Sequence, residues 1–269
     1  MTHVEITDFL RSFHSSVASA TPIPFSRMRA SGPRHHGNSY QVLGARILAH
    51  EPERVLDVGC GEGELLDLLR DIPRTDGVDL VDAQIKRAKR RAIENATFHV
   101  ANAHSLPFEP DSFDVITAHM SLMLMQPLEE VLAELRRVVR PTGTLIFMVG
   151  EDNYSHGLGG AYVEELRAVA KTEDIPKLRY TDRALGEGWP RILERSGWRV
   201  QIDELIDFNA SGPLADILEH FELSYDFYRL SGAGKSALKE RCRERFGALA
   251  SDDGEISFSF RMRLFEVSP

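Results

Sequence analysis

Seven consecutive residues concentrate the chemistry of this chain: Asp57-Val58-Gly59-Cys60-Gly61-Glu62-Gly63. Glycine at every second position removes Cβ atoms from a turn, so the backbone can approach a ligand and adopt dihedrals closed to other residues. Where a helix follows such a turn, its first amides point at the same ligand. A second carboxylate, Asp79, lies 22 residues after Asp57, a distance at which a carboxylate can accept hydrogen bonds from two ribose hydroxyls. Asn102, Ala103 and His104 follow a third apolar run, and His119 closes a fourth. Amide and imidazole groups there could orient a base or a reacting group. The dinucleotide fingerprint requires a third glycine where this chain has Glu64, so the spacing departs from that motif.

These residues need elements that bring several strand ends to one edge. Val55, Leu56 and Val58 predict a buried strand over 54–58, followed by a helix over 62–70. Further strands are predicted over 74–79, 97–100, 113–117 and 144–149, with a helix over 82–92. Leu128, Val131, Leu132, Leu135, Val138 and Val139 keep a helical period over 127–139, and Pro141-Thr142-Gly143 predicts the turn into the next strand. Alternation of this kind specifies a parallel sheet with helices on both faces. Trp198–Phe208 and the alternating Ile256–Leu264 predict two closing strands, the last antiparallel. Before the core, a helix containing Phe9 and Phe13 is expected to break at Pro22 and Pro24, and 39–49 reads as a helix into the first strand. Helices are expected at 162–170, near 187–196 and within 213–249. The predicted fold class is therefore α/β: a Rossmann-like, doubly wound, seven-stranded sheet with an antiparallel last strand and a helical cap. The expected organisation is a single domain over 1–269. Within it, 1–40 is a lid segment, 41–150 the ligand-binding core, and 151–185 and 209–252 are cap insertions.

Composition bounds the partners. The chain has 269 residues, 42% hydrophobic and 27% charged, as a globular protein does. No apolar run approaches the roughly 20 residues that cross a bilayer, and Met1–Glu5 lacks a secretory pattern. Cys60 and Cys242 make neither a disulfide framework nor a zinc spacing, so a cytoplasmic location and no metal are expected. A net charge of −9 argues against a nucleic-acid partner, and the basic runs at 86–91 and 239–245 read as solvated helix faces. Neither a membrane partner nor a particular oligomeric state beyond monomer or homodimer is implied.

The spelling of the glycine turn resembles motif I of the class I S-adenosylmethionine (SAM)-dependent methyltransferases. Asp57–Gly63, Asp79, Asn102–Phe108, Phe113-Asp114 and Arg140–Gly143 occur in that family's order, over roughly residues 40–150, and the chain is identified as a member of its small-molecule type. The resemblance implies SAM as cofactor and S-adenosylhomocysteine as product. It assigns cofactor contacts to Asp57, Gly59, Cys60, Gly61, Gly63, Asp79, Leu80, Asn102, Ala103, His104 and His119. Asp57 is expected at the methionine end, either touching the cofactor or bracing the glycine turn through backbone amides. The family's acidic residue facing the adenine amino group is here Asn102, whose carbonyl oxygen could accept and whose amide could donate.

The resemblance implies in-line transfer of a methyl group to a small-molecule acceptor. Phe13, Tyr225 and Tyr228, with Phe9, Phe221 and Phe227, could supply flat apolar walls, which favour a planar aromatic or heteroaromatic acceptor. His35, Met120 and Tyr154 join Phe13, Tyr225 and Tyr228 as expected substrate contacts, and the large apolar side chains at 213–230 are expected to form a lid or a dimer interface. His119, read as an imidazole of near-neutral pKa, is the expected catalytic residue for an O or N acceptor. C-methylation is the alternative within the class. A nucleotide-dependent oxidoreductase and a non-catalytic SAM-fold protein are the alternatives outside it.

Overall fold

The computed structural model describes residues 3–173, 175, 177–179 and 188–269. Residues 180–187, at the end of the cap insertion expected over 151–185 and the start of the helix expected near 187, lie outside the described residues. The chain forms two compact units. One comprises 40–150, 180–206 and 262–269; the other comprises 1–39, 151–179 and 207–261.

The main sheet has seven long strands: β1 Arg54–Val58, β2 Arg74–Asp79, β3 Ala96–Val100, β4 Phe113–His119, β5 Val139–Gly150, β6 Arg199–Asn209 and β7 Ser259–Ser268. Their spatial order is β6-β7-β5-β4-β1-β2-β3. Neighbours from β3 to β5 run parallel, and β7 is antiparallel to β5, pairing Leu264 with Met148 and Phe265 with Phe147. The order reverses at β1, which lies between β2 and β4. In open α/β sheets ligands bind outside the carboxyl ends at such a switch. An eighth strand, Arg29–Ala30, pairs with Phe208 and Asn209 at the far end of β6. Two residues carry too little pattern to announce a strand.

The core follows the apolar periodicity. Leu128–Val138 buries Leu128, Val131, Leu132, Leu135 and Val138 against Leu56, Ile116, Leu145 and Phe147. Trp198 joins them and donates its indole N–H to the Leu132 carbonyl at 3.3 Å.

Among the boundaries that differ from expectation, three do so for evident local reasons. The helix after the glycine turn is only Glu64–Asp67. Beyond it, the Leu68 and Leu69 amides close on the carbonyls three residues back, in turns tighter than an α-helix. Strand β5 begins at Val139, not after Gly143. Phe113 pairs with Val139 and Val115 with Thr144, so Arg140–Gly143 bulges out. A Cβ at Gly143 would lie 2.8 Å from the Asp114 carbonyl oxygen, which only glycine avoids. Pro22 and Pro24 lie in a short helix, Pro22–Arg27, instead of breaking one. Pro22 opens it, where a missing N–H costs nothing, and the break falls at 17–21.

The second unit is mainly helical: Ile6–Ser16, Gly157–Ala170, Leu214–Glu222, Tyr225–Arg229 and Gly232–Gly247. Ser224 and Ser231 divide the last three. Each hydroxyl accepts an amide of the helix it opens, from Phe227 at 3.2 Å and Gly234 at 3.1 Å. Tyr162 stacks on Phe221 with centroids 4.4 Å apart. Glu165 accepts from Arg241 and Arg245, each at 2.7 Å, tying Gly157–Ala170 to Gly232–Gly247.

Candidate active site

The glycine turn leaves β1 with left-handed backbone at Gly59 (φ 76°), Gly61 (54°) and Gly63 (85°). The Gly59 and Cys60 amides both donate to the Val78 carbonyl, at 2.8 and 3.0 Å. A Cβ on Gly59 would come 2.5 Å from Ser121 Cβ, whereas one on Gly61 would meet nothing within 4 Å. Gly61 therefore faces open space, as a ligand-facing position must. The far side of the turn is clamped. Arg91 donates to the Glu62 carbonyl at 2.6 Å and pairs with Glu64 and Asp67, while Arg87 pairs with Glu62 at 2.8 Å.

Asp79 ends β2 and is held from both sides. Its Oδ2 accepts the Gly61 amide at 3.0 Å and its Oδ1 the Val81 amide at 2.8 Å. Burial raises its pKa, opposed by these backbone hydrogen bonds. Leu80, half-buried, lies between the two anchors.

Asp57 is 2% exposed, and its Oδ1 has no hydrogen-bond partner among the described residues. Burial, then the nearby Asp79 and Glu64 carboxylates, pushes its pKa up to about 8. The expectation that Asp57 braces the glycine turn through amides is corrected: those amides go to Val78 and Asp79. Among the described residues no cation pairs with the Asp57 carboxyl. Thr117 faces it in register across β1 and β4, is fully buried, and leaves its Oγ1 without a partner among the described residues. Cys60 is buried, its thiol pushed up by burial and by the Asp79 and Asp57 carboxylates. A Cβ on Gly77 would lie 2.9 Å from its Sγ, so the side chain serves as packing.

After β3, the Ala101 amide donates to the Asp79 carbonyl at 3.0 Å, so the Asn102–Ser105 turn starts beside Asp79. Ala103 is buried beneath it. Asn102 Oδ1 accepts the His104 amide at 3.1 Å and lies 2.7 Å from His104 Nδ1. The stretch beyond is rigidly held. Leu106 donates its amide to Glu134 at 2.7 Å, and Arg137 donates to the Phe108 carbonyl at 2.8 Å.

His119 ends β4 and stacks on Tyr40, with centroids 4.1 Å and planes 28° apart. It is 6% exposed, and burial lowers its pKa to about 3. The near-neutral imidazole expected from the sequence is thereby corrected, because desolvation disfavours the imidazolium. Tyr40, whose pKa burial and the Glu64 and Asp57 carboxylates raise, and Ser121, which donates to the Val58 carbonyl at 2.7 Å, were not foreseen. Neither belongs to a motif or a periodic face. Met120 follows with a left-handed backbone (φ 54°) and is half-buried. Non-glycine residues so held cluster at functional sites.

Of the expected acceptor contacts, Phe13, His35, Tyr154, Tyr225 and Tyr228 belong to the helical unit. Phe13 is 1% exposed and enclosed by Phe9, His14, Tyr225 and Tyr228 with centroids 4.8–6.0 Å away. The Tyr225 hydroxyl bonds His14 Nε2 at 3.2 Å, and that of Tyr228 contacts Ser12 and Ser16 at 3.3 and 3.4 Å. His35 is half-buried and Tyr154 is exposed. Asn153 bonds the Glu151 carbonyl and both backbone groups of Arg261.

A doubly wound sheet with an antiparallel last strand, a glycine turn at the switch and carboxylates at two strand ends defines the class I methyltransferase architecture. Comparisons with known proteins agree. The model of the family described as "Methyltransferase domain" matches residues 56–147. A demethylmenaquinone methyltransferase of Beutenbergia cavernae is 31% identical over 175 residues, 59% of this chain and 69% of that one. A malonyl-[acyl-carrier protein] O-methyltransferase of Halorhodospira halophila is 35% identical over 118 residues, 42% of this chain and 40% of that relative. The match thus spans less than two thirds of that relative's length. The solved structure of the [4+2]-cyclase SpnF has the same fold, with TM-score 0.59 at 16% identity over 100% of this chain and 98% of that one. The chain belongs to the class I SAM-dependent methyltransferases, and its cofactor is SAM. No helix among the described residues is long and apolar enough to cross a membrane.

The site fits that cofactor on its own evidence. One buried carboxyl oxygen, Asp57 Oδ1, has no partner among the described residues, the Asp79 carboxylate is braced by two amides, and the space beside Gly61 is open.

Proposed function

We propose that this enzyme methylates an oxygen or ring nitrogen of a small, planar acceptor that reaches its reactive form without a protein base. When bound, SAM supplies a methyl group activated by a sulfonium whose leaving group is a neutral thioether, so the displacement requires no acid. Asp79 would take the ribose hydroxyls, Asp57 the positive methionine end, Gly59–Gly63 the close approach, and Asn102–His104 the adenine. Tyr40 and His119 would form one apolar wall that excludes water and orients the reactants, which is where most of the acceleration arises.

The observation that carries the reading is the burial of His119 with its pKa lowered to about 3. An imidazole this weakly basic cannot draw a proton from a phenol or amide at neutral pH. An acceptor that brings its own acidity, as an acidic hydroxyl or carboxyl does, needs no base from His119. The name of the malonyl-[acyl-carrier protein] O-methyltransferase relative supports an oxygen acceptor for this chain.

A panel of phenols, enols and carboxylic acids of graded pKa, scored by S-adenosylhomocysteine release, tests this. The pH at half-maximal rate should track the acceptor's pKa. His119→Phe should change kcat by less than about tenfold and leave the profile in place. A loss of about 100-fold, the usual size of a general-base effect, with an ionisation near neutrality removed, would restore His119 as the base.

A further inference from the structure

The methionines of the described residues fall into two sets. Met28, Met148 and Met262 are 0% exposed. Met120, Met123 and Met125 are half-buried and follow one another closely just after β4. A thioether oxidises where an oxidant can reach it, so this division sorts the side chains by reactivity. Cys60, near the second set, does not compete. It is buried and its thiol pKa is raised by burial, so it holds little of the reactive thiolate.

The second set is tied to the glycine turn. The Met120 amide donates to the Met148 carbonyl at 2.9 Å, and the Ser121 hydroxyl to the Val58 carbonyl at 2.7 Å. A short 3-10 helix, Leu122–Leu124, follows, and the Met125 amide closes on the Leu122 carbonyl at 3.1 Å. This closure brings the terminal methyl of Met125 to 3.4 Å from where a Cβ on Gly59 would stand. The same side chain packs against the core of the sheet. A flexible, apolar thioether suits that contact. A sulfoxide does not, because its oxygen is a polar acceptor that needs water or a donor. A cofactor seated on the turn would strip water from that oxygen and bind more weakly for it.

We propose that Met125 is a site of reversible oxidation by hydrogen peroxide, and that its sulfoxide lowers the affinity of the glycine turn for the cofactor. The thioether sulfur attacks one peroxide oxygen and the O–O bond breaks. The departing hydroxide takes the proton from the transferred oxygen and leaves as water. Sulfur is oxidised by two electrons and peroxide reduced by two, with no further reactant. The inference rests on the cofactor site described above and adds a chemical control of it.

Peroxide treatment of the full chain, with peptide mapping by mass spectrometry and calorimetric titration with S-adenosylhomocysteine before and after, tests it. Met120, Met123 and Met125 should gain oxygen while Met28, Met148, Met262, Cys60 and Cys242 stay unmodified in the folded protein. Affinity should fall by about tenfold, a modest cost for desolvating one polar group. Methionine sulfoxide reductase should restore it, and that enzyme does not repair oxidised thiols. Met125→Leu, close in volume and not oxidisable, should keep its own starting affinity within about twofold through the same treatment, although Met120 and Met123 are still oxidised. Unchanged wild-type affinity with Met125 oxidised, an equal loss in Met125→Leu, or oxidation that spares Met125 overturns the proposal. If Met125→Leu fails to fold, partly oxidised wild-type protein decides the matter. The fraction with weakened binding should track the sulfoxide at Met125, and tracking that at Met120 or Met123 instead overturns it. Failure of untreated wild-type protein to bind the ligand overturns the cofactor site beneath, a distinguishable result.

Discussion

The carboxyl edge of the sheet and the ring cluster around Phe13 handle polar groups in opposite ways. At the carboxyl edge of the sheet, Asp57 Oδ1, Thr117 Oγ1 and His104 Nε2 are buried without partners among the described residues, although most buried polar atoms in folded proteins are satisfied. In the helical unit, the hydroxyls of Tyr162, Tyr225 and Tyr228 all contact polar side chains, and Phe13 is sealed among rings. The first arrangement costs stability and is shaped for a ligand. The second stabilises by filling itself. A cluster of aromatic side chains is thus poor evidence for a binding wall, whereas an unpaired buried carboxyl is good evidence for a bound cation.

Asp57→Asn should separate the two most strongly. Removing the charge that meets the positive end of SAM should weaken binding by about 100-fold, the upper range for a hydrogen bond to a charged group. The same change should stabilise the cofactor-free protein. Burial raises the folded-state pKa of Asp57 to about 8, above its ordinary value near 3.9. The unfolded chain therefore releases this proton first as pH rises. The carboxyl's contribution to stability is complete below about pH 4 and declines up to about pH 8, by at most about 4 kcal/mol at pH 7. Asparagine removes that decline, so the melting-temperature gain over wild type should grow from pH 5 to pH 8. A pH-independent difference would mean that Asp57 is ionised in the empty site.

Phe13→Ala tests the other side of the comparison. A 1% exposed phenylalanine truncated to alanine should cost about 3–5 kcal/mol, read by denaturant unfolding, with SAM affinity unchanged in the folded fraction. If stability falls by less than about 1 kcal/mol while the acceptor KM rises tenfold, Phe13 lines a binding wall and the contrast fails.

The sheet was legible because most of its strands are short apolar runs at regular spacing, although Arg74–Asp79 holds only Val78 as a large apolar residue. The glycine turn and Asp79 were legible because close backbone approach demands particular residue types at particular spacing. The ring cluster was half legible. Its aromatic side chains are plain in the sequence, but periodicity does not say whether rings face a ligand or one another. Tyr40 was invisible, since one tyrosine at the start of a helix carries no pattern, and its place against His119 is a tertiary contact. The protonation of His119 was misjudged for the same reason: burial sets it, and burial of a lone histidine is not written in its neighbours.

The smallest effects come from one substitution made at two positions of the same turn. Gly59→Ala places a Cβ 2.5 Å from Ser121 Cβ at a φ of 76°. Ser121 cannot yield freely, because its hydroxyl holds the Val58 carbonyl at 2.7 Å. The left-handed backbone alone costs about 1–2 kcal/mol, and displacing Ser121 should bring the loss to about 2–4 kcal/mol, within the range of backbone strain plus overpacking. Gly61→Ala shares the left-handed backbone (φ 54°), but its Cβ meets nothing within 4 Å. Its stability loss should stop near 1 kcal/mol, while SAM affinity falls at least tenfold because the methyl group occupies space held open for the cofactor. Unfolding curves and calorimetry on the pair should therefore give opposite rankings, Gly59→Ala worse for stability and Gly61→Ala worse for binding per unit of stability lost. Equal losses of stability, with SAM affinity retained in Gly61→Ala, would show that the open face of the turn is not the face the cofactor uses.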